Sequence, residues 1–362
     1  MSEMDIKQFV FRKGARNRIP VSGTFELTSR CNLDCKMCYV HMSKNEQEKI
    51  GRELTTEQWI RLGREAVDAG MIYLLLTGGE PLLRPDFTEI YTSLIQMGLV
   101  ININTNAVPM TPEVVECFRK YRPERVNVTL YGSSPCTYGD LCGSTGGFQR
   151  AVRGIRMLKE AGIRVVLNTT FTKLNLGDME DIVAFAKSEK IPVRMAAYVF
   201  PPVRNQHEPA EDIYLSAAEM GYYSARFDEM TMTPEQLQQR IALLRQVDAG
   251  TVVQEERRKS TISTCMAGRG AFWICWDGQM YPCGMLPNCA ANVTEKSFTE
   301  AWKDICSQMS EVRLPSECVD CKYQTLCPTC AAVSLSATGR TDGVPDYFCT
   351  RTRAYMDYFL KK

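Results

Sequence analysis

Between residues 22 and 200 the chain alternates short, β-rich apolar runs with longer helical patterns, and no other feature narrows its fold so far. The runs are 23–28 (GTFELT), 71–76 (MIYLLL), 99–104 (LVININ), 126–131 (VNVTLY), 163–168 (IRVVLN) and 193–199 (VRMAAYV). Helical patterns cover 86–97, 147–161 and 178–188. Thr55 with Gln58 fits a capping box, and Thr111 before Pro112 fits an N-cap followed by proline at the first helical position. Strand–helix–strand units of roughly 30 residues imply right-handed crossovers and a parallel sheet. The six runs predict an α/β fold of six such units. The pattern alone leaves both a doubly wound sheet and a partial barrel open.

The remainder reads differently. Residues 1–20 contain the basic segment FRKGARNR, read as a solvated arm. Residues 21–200 are the α/β unit. Residues 201–260 open on a loop signal, PPVRNQHEP, and continue with two capping boxes, Ser216 with Glu219 and Thr233 with Gln236, predicting a helical bridge. Residues 261–362 form a further, cysteine-rich domain with turns at WDG and TGRTDG and a C-terminal helix.

The chain holds 16 cysteines and two histidines, His41 and His207. No secretory apolar core precedes them, which argues against a disulfide framework and for metal or redox chemistry in the cytoplasm. With so little imidazole, thiolate-only sites remain: four-cysteine zinc or iron–sulfur. Lys and Arg number 43 against 42 Asp and Glu, a net charge of +1, which gives no footprint for nucleic acid. No apolar run reaches membrane-spanning length.

Cys31, Cys35 and Cys38 form C-x3-C-x2-C just after the first strand, where α/β folds place their sites. Three thiolates can hold a [4Fe–4S] cluster with one iron left open to a ligand. The segment CNLDCKMC resembles the signature of the radical SAM superfamily, with Met37 where an aromatic residue is usual. The resemblance implies that the open iron chelates S-adenosylmethionine (SAM), and that one electron then yields a 5′-deoxyadenosyl radical that abstracts hydrogen. Thr77-Gly78-Gly79-Glu80-Pro81 follows the second strand and resembles the motif that binds the methionine amino group. The family's partial (β/α)6 TIM-like barrel matches the six units and settles the fold choice. Further SAM contacts are expected at the other strand ends, from Asn104 and Asn106, Asn168 and Arg194, and from Thr129, where by the same resemblance many relatives place a serine that contacts SAM; each could equally be a satisfied polar group closing a strand. Cys142 stands where relatives carry an arginine; it is read either as a buried apolar thiol or as a hydrogen-donating thiol near the substrate.

Further on come Cys265, Gly278 and Cys283, then Cys318-x2-Cys321-x5-Cys327-x2-Cys330, then Cys349. This resembles the SPASM extension of radical SAM enzymes, one residue short before Cys330. The resemblance implies a distal auxiliary [4Fe–4S] cluster on Cys318, Cys321, Cys327 and Cys349, and a proximal one on Cys265, Cys283 and Cys330. Cys275, Cys289 or Cys306 would complete the proximal shell, or it stays open; 255–264 (EERRKSTIST) offers no thiol. Cys117 and Cys136 read as ordinary small apolar residues.

Relatives with both motifs mostly modify peptides or proteins. The expected function is therefore a radical SAM enzyme that cross-links, epimerises or oxidises a ribosomally made peptide. Its cofactors would be SAM and three [4Fe–4S] clusters. Its partners would be a peptide or protein substrate, a flavodoxin or ferredoxin as electron donor, and a separate leader-binding protein if a leader is read. The alternatives are formylglycine generation in a sulfatase, maturation of a small redox cofactor, and a non-enzymatic iron–sulfur electron-transfer protein.

Overall fold

The computed structural model describes residues 6–40, 42–196, 198–202, 211–252 and 260–361. Most of the loop expected at 201–209, and much of 255–264, lies outside them. Strands β1 (Ser22–Glu26), β2 (Tyr73–Thr77), β3 (Val100–Thr105), β4 (Arg125–Thr129), β5 (Val165–Thr169) and β6 (Val193–Met195) are joined in that order, every neighbouring pair parallel. Helices α1 (Ile6–Asn17), α2 (Lys44–Ile50), α3 (Thr56–Asp68), α4 (Phe87–Gln96), α5 (Pro112–Lys120), α6 (Pro135–Cys142), α7 (Gly147–Glu160) and α8 (Met179–Ser188) precede or alternate with them. The capping box at Thr55 and the Thr111–Pro112 start form as expected. Along β3, Ile101 and Ile103 are buried while Asn102 and Asn104 point to the other, half-buried face. That period of two packs apolar side chains under the helices and turns the polar set inward. Phe25 of β1 meets Trp59 of α3 at 4.9 Å between centroids, both rings fully buried, each worth roughly 2–3 kcal/mol of burial.

β6 is shorter than the run at 193–199. As an edge strand it pairs with β5 alone, and the last ladder bond runs from Ala196 N to Thr169 O.

The sheet does not stop where the composition changes. β7 (Ala271–Ile274) pairs parallel with β1, and β8 (Gln279–Tyr281) and β9 (Ala291–Asn292) follow antiparallel, giving a nine-stranded sheet. The hairpin between β7 and β8 turns at Gly278, whose φ of 87° suits glycine. The bridge consists of α9 (Ala217–Thr231) and α10 (Pro234–Asp248), with both capping boxes present. Then come α11 (Phe298–Glu311), α12 (Ala331–Thr338) and α13 (Asp346–Leu360). Ala225, Leu244, Val247, Tyr355, Met356 and Phe359 make a second small core where α13 closes on α9 and α10.

The N-terminal segment is not the solvated arm that its charge suggests. α1 stacks Phe11 on Tyr73 at 5.2 Å, and Arg18 donates to Cys306 O at 2.7 Å while accepting from Trp302 Nε1 at 2.8 Å. Its basic side chains hid a helix with one packing face.

Candidate active site

The carboxyl ends of β1–β6 surround a cavity of about 390 Å³. Cys31, Cys35 and Cys38 line it together with Met37, Gly78, Gly79, Asn104, Asn106, Thr129, Asn168 and Arg194. Register explains the convergence: Thr129 pairs with Asn168, and Asn168 with Arg194, at one level of the sheet.

The cysteine loop leaves β1 and is pinned from three sides. The first is the double glycine. Gly79 N donates to Thr28 O, and Glu80 N to Arg30 O, both at 2.8 Å. A Cβ on Gly79 would stand 2.4 Å from Arg30 O, and one on Gly78 2.5 Å from Thr28 O. The glycines are thus required by the backbone of the cysteine loop lying against them.

The second is a buried ionic clamp that the sequence did not announce. Arg84 donates to Leu27 O at 3.0 Å, Leu54 O at 3.1 Å and Asp86, and lies 3.3 Å from Glu53. Glu53 also takes both arms of the Arg30 guanidinium at 3.0 Å and the Thr28 hydroxyl. Burial pushes the Glu53 carboxyl up, but hydrogen bonds from Arg30, Thr28 and Gln47 hold it below its usual value. Arg84 sits in GGEPLLRP, so its nearness to the motif is the only sequence signal that could have flagged it.

The third is the end of α6. Asp34 N donates to Cys142 O and Lys36 N to Leu141 O, each at 3.0 Å. The Cys142 thiol is hydrogen-bonded to Cys35, and this with burial pushes the Cys35 thiol well above its ordinary value. Cys142 is fully buried and does not line the cavity. The reading of Cys142 as a hydrogen donor facing substrate is corrected on that ground: its sulfur is spent beneath the cysteine loop.

Glu80 also differs from expectation. It is fully buried and is not among the cavity-lining residues. Its carboxylate accepts from Thr105 Oγ1 at 2.8 and 2.9 Å, Asn106 N at 2.7 Å and Leu82 N at 3.0 Å. Burial pushes it up to about 7 against those bonds. It staples the glycine turn to the end of β3 instead of presenting an acceptor to an ammonium group. Asn106, so placed, directs its amide to Asn32 Oδ1 at 3.0 Å and to Cys31 Sγ at 3.6 Å.

The donor set fits an iron–sulfur cluster and SAM. Burial pushes the Cys31 thiol up to about 12, so only a bound metal would hold it as thiolate near neutral pH. Ser29 Oγ, Asn32 Nδ2 and the cavity-lining Thr169 Oγ1 are buried without a protein partner, a cost of roughly 1–3 kcal/mol each unless a ligand takes them. Among the described residues no three Cys, His, Asp or Glu side chains cage a single ion; a cubane, which spreads its thiolates over a larger body, needs no such cage.

In the C-terminal region Cys349 lies within electrostatic reach of Cys327 and Cys321. Gln324, between the first two, donates to Cys318 O at 2.9 Å and Val319 O at 3.0 Å, tying Cys318 to the same loop. Cys283 and Cys330 pack against the main core instead, and Cys265 is exposed. Of the candidates for a further ligand, Cys275 directs its sulfur to Glu26 at 3.9 Å, Cys306 faces Arg18, and Cys289 is buried. Among the described residues no helix is long and apolar enough to cross a membrane.

Residues 25–186 match the sequence profile of the Radical SAM superfamily. An AdoMet-dependent heme synthase of Methanosarcina barkeri is 29% identical over 325 residues, spanning 87% of this chain and 92% of that protein. The sporulation killing factor maturation protein SkfB of Bacillus subtilis is 27% identical over 306 residues, 84% of this chain and 69% of that protein. The crystal structure of Streptococcus suis SuiB bound to precursor peptide SuiA superposes with a TM-score of 0.68 at 17% identity, covering 94% of this chain and 79% of that one. Taken with three cysteines gathered at the mouth of a parallel sheet, these likenesses show a radical SAM domain over residues 25–186, followed by a cysteine-rich C-terminal region that fits a SPASM domain.

Proposed function

We propose that this radical SAM enzyme acts on a peptide, abstracting a hydrogen atom from one residue so that a cross-link, an inverted centre or an oxidised side chain results. The observation that carries the reading is one cavity in which Cys31, Cys35 and Cys38 face the polar ends of β3–β6. When bound, the cluster and SAM supply the radical chemistry. In this reading the three thiols hold the SAM-binding cluster. The backbone of Gly78 and Gly79 and the side chains of Asn104, Asn106, Thr129, Asn168 and Arg194 orient SAM, with Met37 packing beside it, while Glu80 holds the turn in place. Cys318, Cys321, Cys327 and Cys349 hold the distal auxiliary cluster; Cys265, Cys283 and Cys330 supply the proximal one. A flavodoxin or ferredoxin delivers the electron. The peptide reading is supported by the similarity to SkfB and the shared fold with SuiB.

A second reading, action on a tetrapyrrole, is favoured by one observation: the likeness to the heme synthase runs along 92% of that protein. Anaerobic reconstitution followed by dithionite and SAM tests the common core. 5′-Deoxyadenosine is expected from the wild type and not from Cys35→Ala. Fully loaded protein that never yields it would refute the catalytic reading. Mass spectrometry after incubation with a candidate precursor peptide or an iron tetrapyrrole then separates the two substrates.

A further inference from the structure

The cavity has two unlike sides. The ends of β3–β6 line it with Asn104, Asn106, Thr129, Asn168 and Arg194, whereas the last residue of β6 and the chain after it line it with Met195, Tyr198, Val199 and Phe200. In the strand order β6 lies at the far end of the six parallel strands from β1, which leads into the cysteine loop. Tyr198 is held from several directions. Its ring meets Phe200 at 4.9 Å, Phe348 at 5.1 Å and Tyr347 at 5.5 Å between centroids, each at a steep tilt. Its hydroxyl is in hydrogen-bond contact with Ser336 Oγ of α12 at 3.2 Å. The two rings behind it are themselves anchored on α13: Phe348 is fully buried, and Tyr347 donates to Leu215 O at 3.3 Å. Yet Tyr198, Val199 and Phe200 are each only half-buried, and they face the cavity with carbon.

A ring fixed in advance loses little freedom when a ligand arrives, and it gains from every apolar atom laid against it. Such a wall beside a few polar groups is the usual make-up of a pocket that selects by shape and hydrophobicity. We propose that Tyr198, with Phe200 beside it, determines substrate specificity by anchoring a large apolar side chain of the peptide, a neighbour of the residue that gives up its hydrogen atom. The inference rests on the peptide reading above. A polar side chain laid there would shed its water and find no free donor or acceptor, because the wall's only hydroxyl is engaged with Ser336. The polar side of the cavity is left to SAM, and the two ligands meet between the two sides.

The test pans a phage-displayed library of random hexapeptides, without oxygen, on full-length reconstituted enzyme loaded with SAM. The wild type is expected to enrich peptides with Leu, Ile, Met, Phe or Trp at one fixed position. The synthetic consensus peptide, followed by fluorescence anisotropy, should bind Tyr198→Ala about tenfold more weakly, as the loss of one large apolar contact requires. Tyr198→Phe keeps the ring and should stay within about threefold of wild type. Equal peptide affinity in the wild type and Tyr198→Ala overturns the inference. So does a fall in SAM affinity as large as the fall in peptide affinity, which would set the ring against SAM instead. Should Tyr198→Ala lose its iron or fail to fold, the wild type decides. The consensus peptide carrying photo-leucine at its apolar position, irradiated on the enzyme, is expected to label Tyr198, Val199 or Phe200; labelling confined to other segments overturns the inference. The library also separates the two layers. If the wild type enriches no peptide, the peptide reading fails and this inference falls with it; if it enriches peptides that share no apolar position, only the inference falls.

Discussion

At the scale of the residue, the site depends on groups that never touch its cavity. Glu80 and Cys142 carry the clearest case: one staples β3 to the glycine turn, the other lies beneath Cys35. Arg84 does the same for the start of the cysteine loop, with a side chain only 5% exposed between Glu53 and Asp86. Replacing it by Met leaves Asp86 without its cation, Glu53 with Arg30 alone, and two backbone carbonyls, Leu27 O and Leu54 O, without that donor. Breaking a buried pair typically costs 3–5 kcal/mol; partial exposure of both acids places this one at the low end, about 3 kcal/mol. Urea unfolding of the reduced apo-protein should show the midpoint fall at constant slope for Arg84→Met. A midpoint equal to wild type would show the clamp to be idle. These roles were not legible beforehand because each is a tertiary contact of a single residue. A lone arginine in GGEPLLRP has no period, and a cysteine at a helix end carries no mark of what lies against it.

At the scale of the element, legibility followed the range of the interaction. The six parallel strands and the capped helices α3, α5, α9 and α10 could be read because a strand's alternation and a helix's first turn are written within a few residues. The pairing of β7 with β1 could not, since it joins segments some 250 residues apart and leaves no local pattern. The docking of α1 was hidden likewise, by charge on its outer face. The cysteine spacing is an intermediate case: it grouped Cys321, Cys327 and Cys349 through family resemblance, but not the support that α9 gives them. That support is specific. Gly221 lets α9 approach α13 so closely that a Cβ there would stand 2.3 Å from Arg351 O and 2.7 Å from Ala354 Cβ. Gly221→Ala should therefore push α13 outward at a cost of about 1–3 kcal/mol. Cys349 rides on α13, so if it holds the proposed distal [4Fe–4S] cluster, reconstituted Gly221→Ala is expected to retain about four fewer iron atoms per chain while still cleaving SAM. Full iron content would show that the two helices yield without disturbing the thiols.

At the scale of the whole molecule, the separate cysteine groups are tied together by continuous structure. The loop bearing Cys31 leaves β1. β7 lies alongside that strand, and its Trp273 donates to Glu26 Oε2 at 2.9 Å. The distal group hangs instead on α13, whose packing partner is α9 and whose core is the smaller cluster with α10. Losing a thiol of the first group or of the distal group should therefore leave the other assembled, since those two rest on different cores. If every group holds a [4Fe–4S] cluster, wild-type protein should carry about 12 iron per chain, and Cys35→Ala and Cys349→Ala about eight each. The two variants should then part company in chemistry. Cys35→Ala forms no 5′-deoxyadenosine at any iron content. Cys349→Ala still forms it, because the cavity at the carboxyl ends of β1–β6 is intact, but no longer couples it to product where an electron must leave the substrate radical. Iron assay and chromatography of both variants on one preparation check this. Loss of 5′-deoxyadenosine in Cys349→Ala at eight iron would mean that the C-terminal group supports the SAM site itself, and that the sheet and the helical core do not act as independent supports.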